Sequence, residues 1–340
     1  MQDQIVDLAL ELTQVTKVKM ADLAKIMLHT QILAMNARLE AARAGEAGKS
    51  FAIVAQEMGA VSQQVTALAA SLNTVITENS DRIQDAGQDM SINFRGSRYA
   101  DMARNAVEII DRNLYERSCD VRWWATDSAV VDAVEQPSAE ATAYATSRLA
   151  TILRSYTVYL DLWIADRSGR VIANGRPDLY RHVVGSDVSR EEWFQRGLKT
   201  ADGDDFVVCD VDRSAQLAGS QVATYATAIR KGGATKGAEI GVLGIFFDWE
   251  PQAQAIVDGI SLSEEERATS KIMLLDSRFR VIASTQPDAF GQPYPLKPTD
   301  AWGHKVEKGK IVAYGLTPGY ETYRGLGWFG CIESLSLIHI

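Results

Sequence analysis

Four histidines stand far apart in the chain, at His29, His182, His304 and His339, as do three cysteines, Cys119, Cys209 and Cys331. Metal sites and nucleophile–base pairs draw such groups together at short recurrent spacings, and no such spacing occurs here. No phosphate loop and no Gly-x-Ser-x-Gly elbow is present either. The chain is therefore read as a non-enzyme, with no catalytic residue, metal ligand or cofactor. The residues whose types and spacing suit chemistry are instead aromatic and acidic side chains in strand-like runs. Over 157–164, Val158, Leu160, Leu162 and Ile164 alternate with Tyr159, Asp161 and Trp163, so the second set shares one face of a strand. Downstream come Trp193-Phe194, then Asp210, Asp212 and Tyr225. Apolar walls with a few aimed polar groups are what small-molecule recognition needs. The same tryptophans suit a packed core equally well, and each carboxylate suits a solvated turn.

Those strands must be held by a larger frame. The chain has 340 residues, enough for two domains or more, and a formal net charge of −9. That charge argues against nucleic acid, which is bound through concentrated Lys and Arg. No run of about twenty apolar residues occurs, so no membrane span is expected. The opening MQDQIVDLALELTQ is acidic and amphipathic, unlike a signal peptide. With three unpaired, widely spaced cysteines it predicts a cytoplasmic protein with free thiols.

The helical periodicity is strongest around residues 31–57. Apolar residues step by three and four on both sides of Ala44-Gly45-Glu46-Ala47-Gly48-Lys49, where two glycines predict a sharp reversal. Ile5, Leu8, Leu12, Val15 and Val18 mark the first arm. In the second, Val54, Met58, Val61, Val65, Leu68, Leu72 and Val75 form a heptad seam predicted to pack on partner helices. Two antiparallel helices folded through a tight tip follow. Near 77–81 polar residues break the seam, and helical character resumes from Ile83 to about Val134. There Tyr115, Cys119 and Trp123 share a face that is read as packing on a sheet.

The letters Leu33-Ala34-Met35-Asn36-Ala37, Glu40-Ala41-Ala42-Arg43-Ala44-Gly45-Glu46, Gly48 and Phe51-Ala52-Ile53-Val54-Ala55 resemble the signalling tip of methyl-accepting chemotaxis receptors. The resemblance implies that Asn36, Glu40 and Arg43 pack receptor dimers into trimers of dimers. It also implies that Glu46, Phe51 and Val54 dock a coupling adaptor and a chemotaxis histidine kinase. The chain departs from the pattern at His29, Gln31, Arg38, Ser50 and Gly59. A glycine inside a helix costs about 1 kcal/mol relative to alanine. Neither arm carries adjacent Glu or Gln flanked by small residues, so methylation sites are not read from it.

Beyond residue 100 an internal repeat emerges. Asp166-Arg-Ser-Gly-Arg-Val-Ile-Ala recurs as Asp276-Ser-Arg-Phe-Arg-Val-Ile-Ala, each after a strand-like run. Strands are predicted over 206–212, 221–229 and 240–249, then 310–314 and 327–333. This half resembles the double Cache sensor domains of bacterial receptors, which place two PAS-like modules behind a long helix. The resemblance implies a ligand pocket in the first module, under a loop bearing Trp193 and Phe194. Strand residues Tyr159, Asp161, Trp163, Asp212 and Tyr225 would line it. In the amino-acid-binding subgroup an arginine stands two places before the tryptophan; here that place is Glu191, with Arg190 one position off. Phe246 replaces an aspartate, so an ordinary α-amino acid is not favoured and a cationic ligand is the better match. The run from Ser334 to Ile340 fits neither module.

The expected architecture is α+β. A helical coiled-coil hairpin over 1–90 precedes a double Cache domain over 91–340, with modules at about 155–250 and 268–335. The expected function is a chemoreceptor-like transducer, dimeric, in which a small molecule acts on the hairpin. The alternative is a binding or scaffold protein that uses the hairpin only to oligomerise.

Overall fold

Small residues at seven-residue intervals draw the first two helices together. In this computed structural model, which describes residues 2–336 with side chains from Leu8, helix α1 spans Gln2–Arg43 and helix α2 spans Lys49–Trp124. The chain divides into two compact units, Met1–Arg95 and Gly96–Ile340. In the first, Ala34 and Ala41 of α1 and Ala55, Ser62 and Ala69 of α2 are buried. The Ser62 hydroxyl donates to the Met27 carbonyl at 2.7 Å, an interhelical bond that fixes the antiparallel register. A four-residue 3-10 turn, Gly45–Gly48, reverses the chain, with Gly45 at φ +61. A β-carbon on Gly48 would overlap the Ala41 carbonyl, so only glycine lets the arms meet there. Residues 31–57 are thus two antiparallel rods joined at the Ala44–Lys49 bend.

The predicted large-residue seam does not close this hairpin. Val54 is 62 % exposed and Leu68 69 %, while Met58, Val61, Leu72 and Val75 also face outward and only Val65 is half-buried. Each arm carries two apolar stripes, and the one with the smallest side chains takes the closest approach. The larger residues are left on a surface that one chain does not cover. Leu8, Leu12, Val15 and Val18 lie on that exposed side, whereas the side chain of Ile5 is outside the described residues.

No break occurs at 77–81: α2 runs unbroken to Trp124, because polar side chains on a solvated helix face cost little without glycine or proline. It stops well before Val134. Asp127 then caps a separate helix α3 (Ser128–Glu135) by accepting the Ala129 amide, and α4 (Ala139–Ser155) follows. The Tyr115–Cys119–Trp123 stripe is not the packing face either. Tyr99, Ala103, Val107, Ile110, Leu114 and Val121 are buried instead, and Trp123 is 68 % exposed.

The second unit holds two antiparallel five-stranded sheets. The first contains β1 (Tyr159–Asp166), β2 (Val171–Asn174), β3 (Val207–Ser214), β4 (Ser220–Arg230) and β5 (Glu239–Asp248) in the order β2-β1-β5-β4-β3. The second contains β6 (Ser270–Leu275), β7 (Val281–Ser284), β8 (Trp302–Glu307), β9 (Lys310–Leu316) and β10 (Phe329–Leu335) in the order β7-β6-β10-β9-β8. The identical order is the repeat seen in the sequence. Both Asp-led turns close alike: Asp166 accepts the Ser168 and Arg170 amides, and Asp276 those of Arg278 and Arg280. Gly169 sits at φ +88, and Phe279 holds the equivalent place at φ +59, a strained conformation for a non-glycine residue. Strand β8 has no counterpart in the sequence reading, since its run WGHKVE shows no clear apolar alternation. Ser334 and Leu335, read as unassigned, belong to β10, while residues 337–340 lie outside the described residues.

Three short helices complete the unit: α5 (Glu192–Gly197), α6 (Trp249–Asp258) and α7 (Glu264–Thr269). The α2 segment from Gly96 onward lies directly on the second sheet. A β-carbon on Gly315 would stand 2.6 Å from Arg104 Cα, and one on Gly330 would overlap the Ala103 carbonyl. Among the described residues no helix is long and apolar enough to cross a membrane.

Candidate functional site

The carboxylate–aromatic face of β1 is split by a bulge. Pairing with β5 shifts between Tyr159 (opposite Phe247) and Asp161 (opposite Phe246), so alternation skips a residue. Tyr159 is turned to α2, where its hydroxyl donates to Asp120 Oδ2 at 2.5 Å beside Trp124. Burial first, and the Asp120 charge after it, hold the Tyr159 hydroxyl well above its usual pKa. Trp163 projects to the opposite side of the sheet with Leu160 and Ala165. Asp161 follows the bulge on the Trp163 face and is fully buried. It accepts the amides of Leu162, Gly175 and Arg176, the Asn174 Nδ2 and the Trp163 Nε1, all at 2.8–3.0 Å. Burial raises its pKa while these donors pull it back. Its oxygens are spent on the fold.

On the Trp163 side, a cleft of about 630 Å³ lies between β3 and the Asp276–Arg280 turn of the second sheet. Its floor is aromatic. Trp163 packs on Phe246 with centroids 4.0 Å apart, and Trp193 meets Phe246 at 5.6 Å. A β-carbon on Gly244 would lie 2.8 Å from the Trp193 ring, so that indole rests flat on β5. The rim is charged. Arg196 pairs with Glu192 at 2.6 Å, and Arg278 stands 3.7 Å from Asp210, which also accepts Trp328 Nε1 at 2.9 Å. Asp212 lies on the same wall. Burial pushes the nearby Cys209 thiol up to about 12, so it stays protonated and unreactive at neutral pH.

The cleft therefore gathers Trp163, Trp193, Asp210 and Asp212 from the residues singled out in the sequence. It does not gather Phe194, buried in the same core, nor Arg190, which is exposed off the rim. Tyr159 is excluded by the bulge, and Asp161 by its burial and its bonds to the β1–β2 corner. Tyr225 is buried away from the cleft, stacked on Phe206 with centroids 6.4 Å apart, and burial keeps its hydroxyl pKa high. Arg196, Arg278 and Arg280 were not legible as lining residues. Only the repeat hinted at them, because the second Asp-led turn carries two arginines that module packing brings against β3. Among the described residues no group of three or more His, Cys, Asp or Glu is placed to hold a metal ion.

At the hairpin tip, Asn36, Glu40, Arg43, Glu46, Phe51 and Val54 are all exposed. Arg43 pairs with Glu40 at 2.6 Å and Lys49 with Glu46 at 2.6 Å, each within one helical turn. Such exposed pairs add little stability. Phe51 is 72 % exposed, leaving most of an apolar ring open to solvent.

Residues 1–120 match the family described as the methyl-accepting chemotaxis protein (MCP) signalling domain. Transducer protein Htr18 of Halobacterium salinarum is 44 % identical over 61 residues, covering 18 % of this chain and 8 % of its own length. The aerotaxis receptor of Escherichia coli is 40 % identical over 65 residues, covering 19 % and 13 %. The matched stretch is thus a small part of either curated relative. Among solved structures, the extracellular domain of rpHK1S-Z16, assigned to the histidine kinases, has a TM-score of 0.51 at 14 % identity, covering 70 % of this chain and 93 % of that one. At that identity the likeness is one of fold. Residues 1–120 thus match the methyl-accepting chemotaxis protein signalling domain, and 70 % of the chain shares the fold of that solved extracellular domain.

Proposed function

We propose that this chain is a chemoreceptor-like signal transducer, in which a small molecule held by the second unit alters how the hairpin engages a chemotaxis histidine kinase and its coupling adaptor. The observation that supports docking is the tip. Phe51 and Val54 project large apolar surface, whereas the side chains buried near the tip, Ala34, Ala41 and Ala55, are small. Exposed apolar groups rimmed by charge are the usual mark of a protein-binding surface. Asn36, Glu40 and Arg43 stand on the opposite arm, open to contact between copies. Docking of this kind places the hairpin in the cytoplasm.

The cleft over Trp163 and Trp193 is the proposed ligand site. Its rim carries both signs, with Asp210 and Asp212 facing Arg196 and Arg278. That balance suits a ligand bearing both charges better than the simple cation favoured by the sequence. A ligand shifts the receptor only by its preference for one of two packings, and a few kcal/mol suffices. Because α2 contributes residues to both units, it is the element on which such a preference would act.

Reconstitution of the full chain with kinase and adaptor tests the docking. Retention of both by the wild-type chain, lost on Phe51→Ala, supports it; a flat kinase activity with no retention removes it. The outward stripe of Val54, Leu68 and Val75 favours a second reading, a scaffold that uses the hairpin to assemble copies. Glu46→Ala separates the two, since a scaffold keeps its oligomeric state and its function.

A further inference from the structure

A second cavity, of about 280 Å³, opens where α2 ends against the first sheet, and neither Trp163 nor Trp193 lines it. Its walls include Arg122 and Trp123 of α2, Asp204 of the loop before β3, Thr227 and Arg230 of β4, and Thr235 beyond β4. At the ~30 Å³ that a water molecule occupies in the liquid, the space suits a small organic molecule rather than a drug-sized one.

The donors in this cavity are under-used. Arg230 is only 5 % exposed; its terminal nitrogens serve Glu239, Gly237 and Thr200, while its Nε has no partner among the described residues. A buried guanidinium N–H without an acceptor is costly. Arg122 makes one good bond, Nε to the Ser118 carbonyl at 2.8 Å. Its terminal nitrogens reach the Asp204 carbonyl at 3.3 Å, and Ser118 Oγ and Cys119 Sγ at 3.5 Å. Among the described residues no carboxylate lies within salt-bridge distance of it. At the helix end the carbonyls of Val121, Trp123 and Trp124 accept from Ala125, Thr126 and Asp127. One acidic side chain, Asp204, borders the space and is exposed to solvent. Trp123, 68 % exposed, offers an uncovered indole to the same cavity, while the Arg122 guanidinium lies over the Phe206 ring at 5.4 Å.

We propose that this cavity binds a small aromatic or unsaturated carboxylate, its oxygens on Arg122 and its planar body against Trp123, at a site separate from the aromatic-floored cleft. A planar guanidinium holds a carboxylate with two parallel bonds, and the indole supplies the apolar contact. The site does not depend on whether the hairpin docks a kinase.

The test is calorimetry and tryptophan fluorescence on the full chain with benzoate, and with inorganic phosphate as a second arm. Saturable benzoate binding is expected, weakened at least tenfold by Arg122→Gln and partly restored by Arg122→Lys. The quench should vanish in Trp123→Phe, and Arg278→Gln in the cleft should leave affinity unchanged. Matching melting curves establish that the variants fold. Absence of saturable benzoate binding overturns the proposal. So does loss of binding on Arg278→Gln with Arg122→Gln unaffected, which places the anion in the cleft. Tighter binding of phosphate than of benzoate overturns the role given to Trp123.

Discussion

The Asp111 carboxylate on α2 accepts the backbone N–H of Gly319 at 2.6 Å, while its other oxygen is buried without a partner among the described residues. Burial pushes its pKa up to about 6, with the Gly319 bond pulling down and the Glu108 charge adding to the rise. Tyr323 of the same loop also lies within its field. The folded-state value lies above the unfolded one, so the stabilising contribution is complete below about pH 4 and is lost as pH rises through about 6. Melting temperature should fall between pH 5 and pH 8 by the equivalent of roughly 1–2 kcal/mol from this group. In Asp111→Asn that component should be absent, which a pH series of thermal melts on both proteins reads directly.

The seat of α2 on the second sheet depends on glycine. A β-carbon on Gly330 would overlap the Ala103 backbone carbonyl, which cannot give way as a flexible side chain would. Gly330→Ala is expected to destabilise the second unit by about 1–3 kcal/mol, as overpacking does. Denaturant titration followed by Trp328 fluorescence would show it, since that indole neighbours Gly330 in the chain.

Two glycines of the hairpin should respond in opposite directions. Gly48→Ala meets the Ala41 backbone and should disrupt the tip. At Gly59 an added β-carbon finds only Ala34 Cβ at 3.9 Å, an ordinary contact. Gly59→Ala should therefore stabilise the helix by about 1 kcal/mol through propensity alone. Circular dichroism melts of the full chain carrying each variant test the pair.

Asp161 receives five N–H donors and offers them nothing but oxygen. Asp161→Asn puts an amide N–H₂ against those donors and should cost roughly 2–4 kcal/mol, more than a lost neutral bond. Near-ultraviolet dichroism should change with it, because the Trp163 indole loses its partner. A variant as stable as wild type would mean that the carboxylate is not needed to hold the β1–β2 corner.

Much of this molecule is readable along the chain. The glycines at 45 and 48 announce the reversal, the tip letters identify the hairpin, and the two Asp-led turns announce a duplicated sheet. These are local patterns, set by backbone conformations that few residues tolerate and by hydrogen bonds spanning four residues or fewer. What only the tertiary structure decided is which neighbour each apolar or charged face meets. Heptad spacing marked a stripe at Val54 and Leu68, but Ala55 and Ser62 won the close contact because smaller side chains permit shorter interaxial distances. Alternation marked Tyr159, Asp161 and Trp163 as one face, but a bulge of a single residue turned Tyr159 away from the other two. Arg278 and Asp210 are 68 positions apart and meet because two modules pack together, a relation that no periodicity encodes.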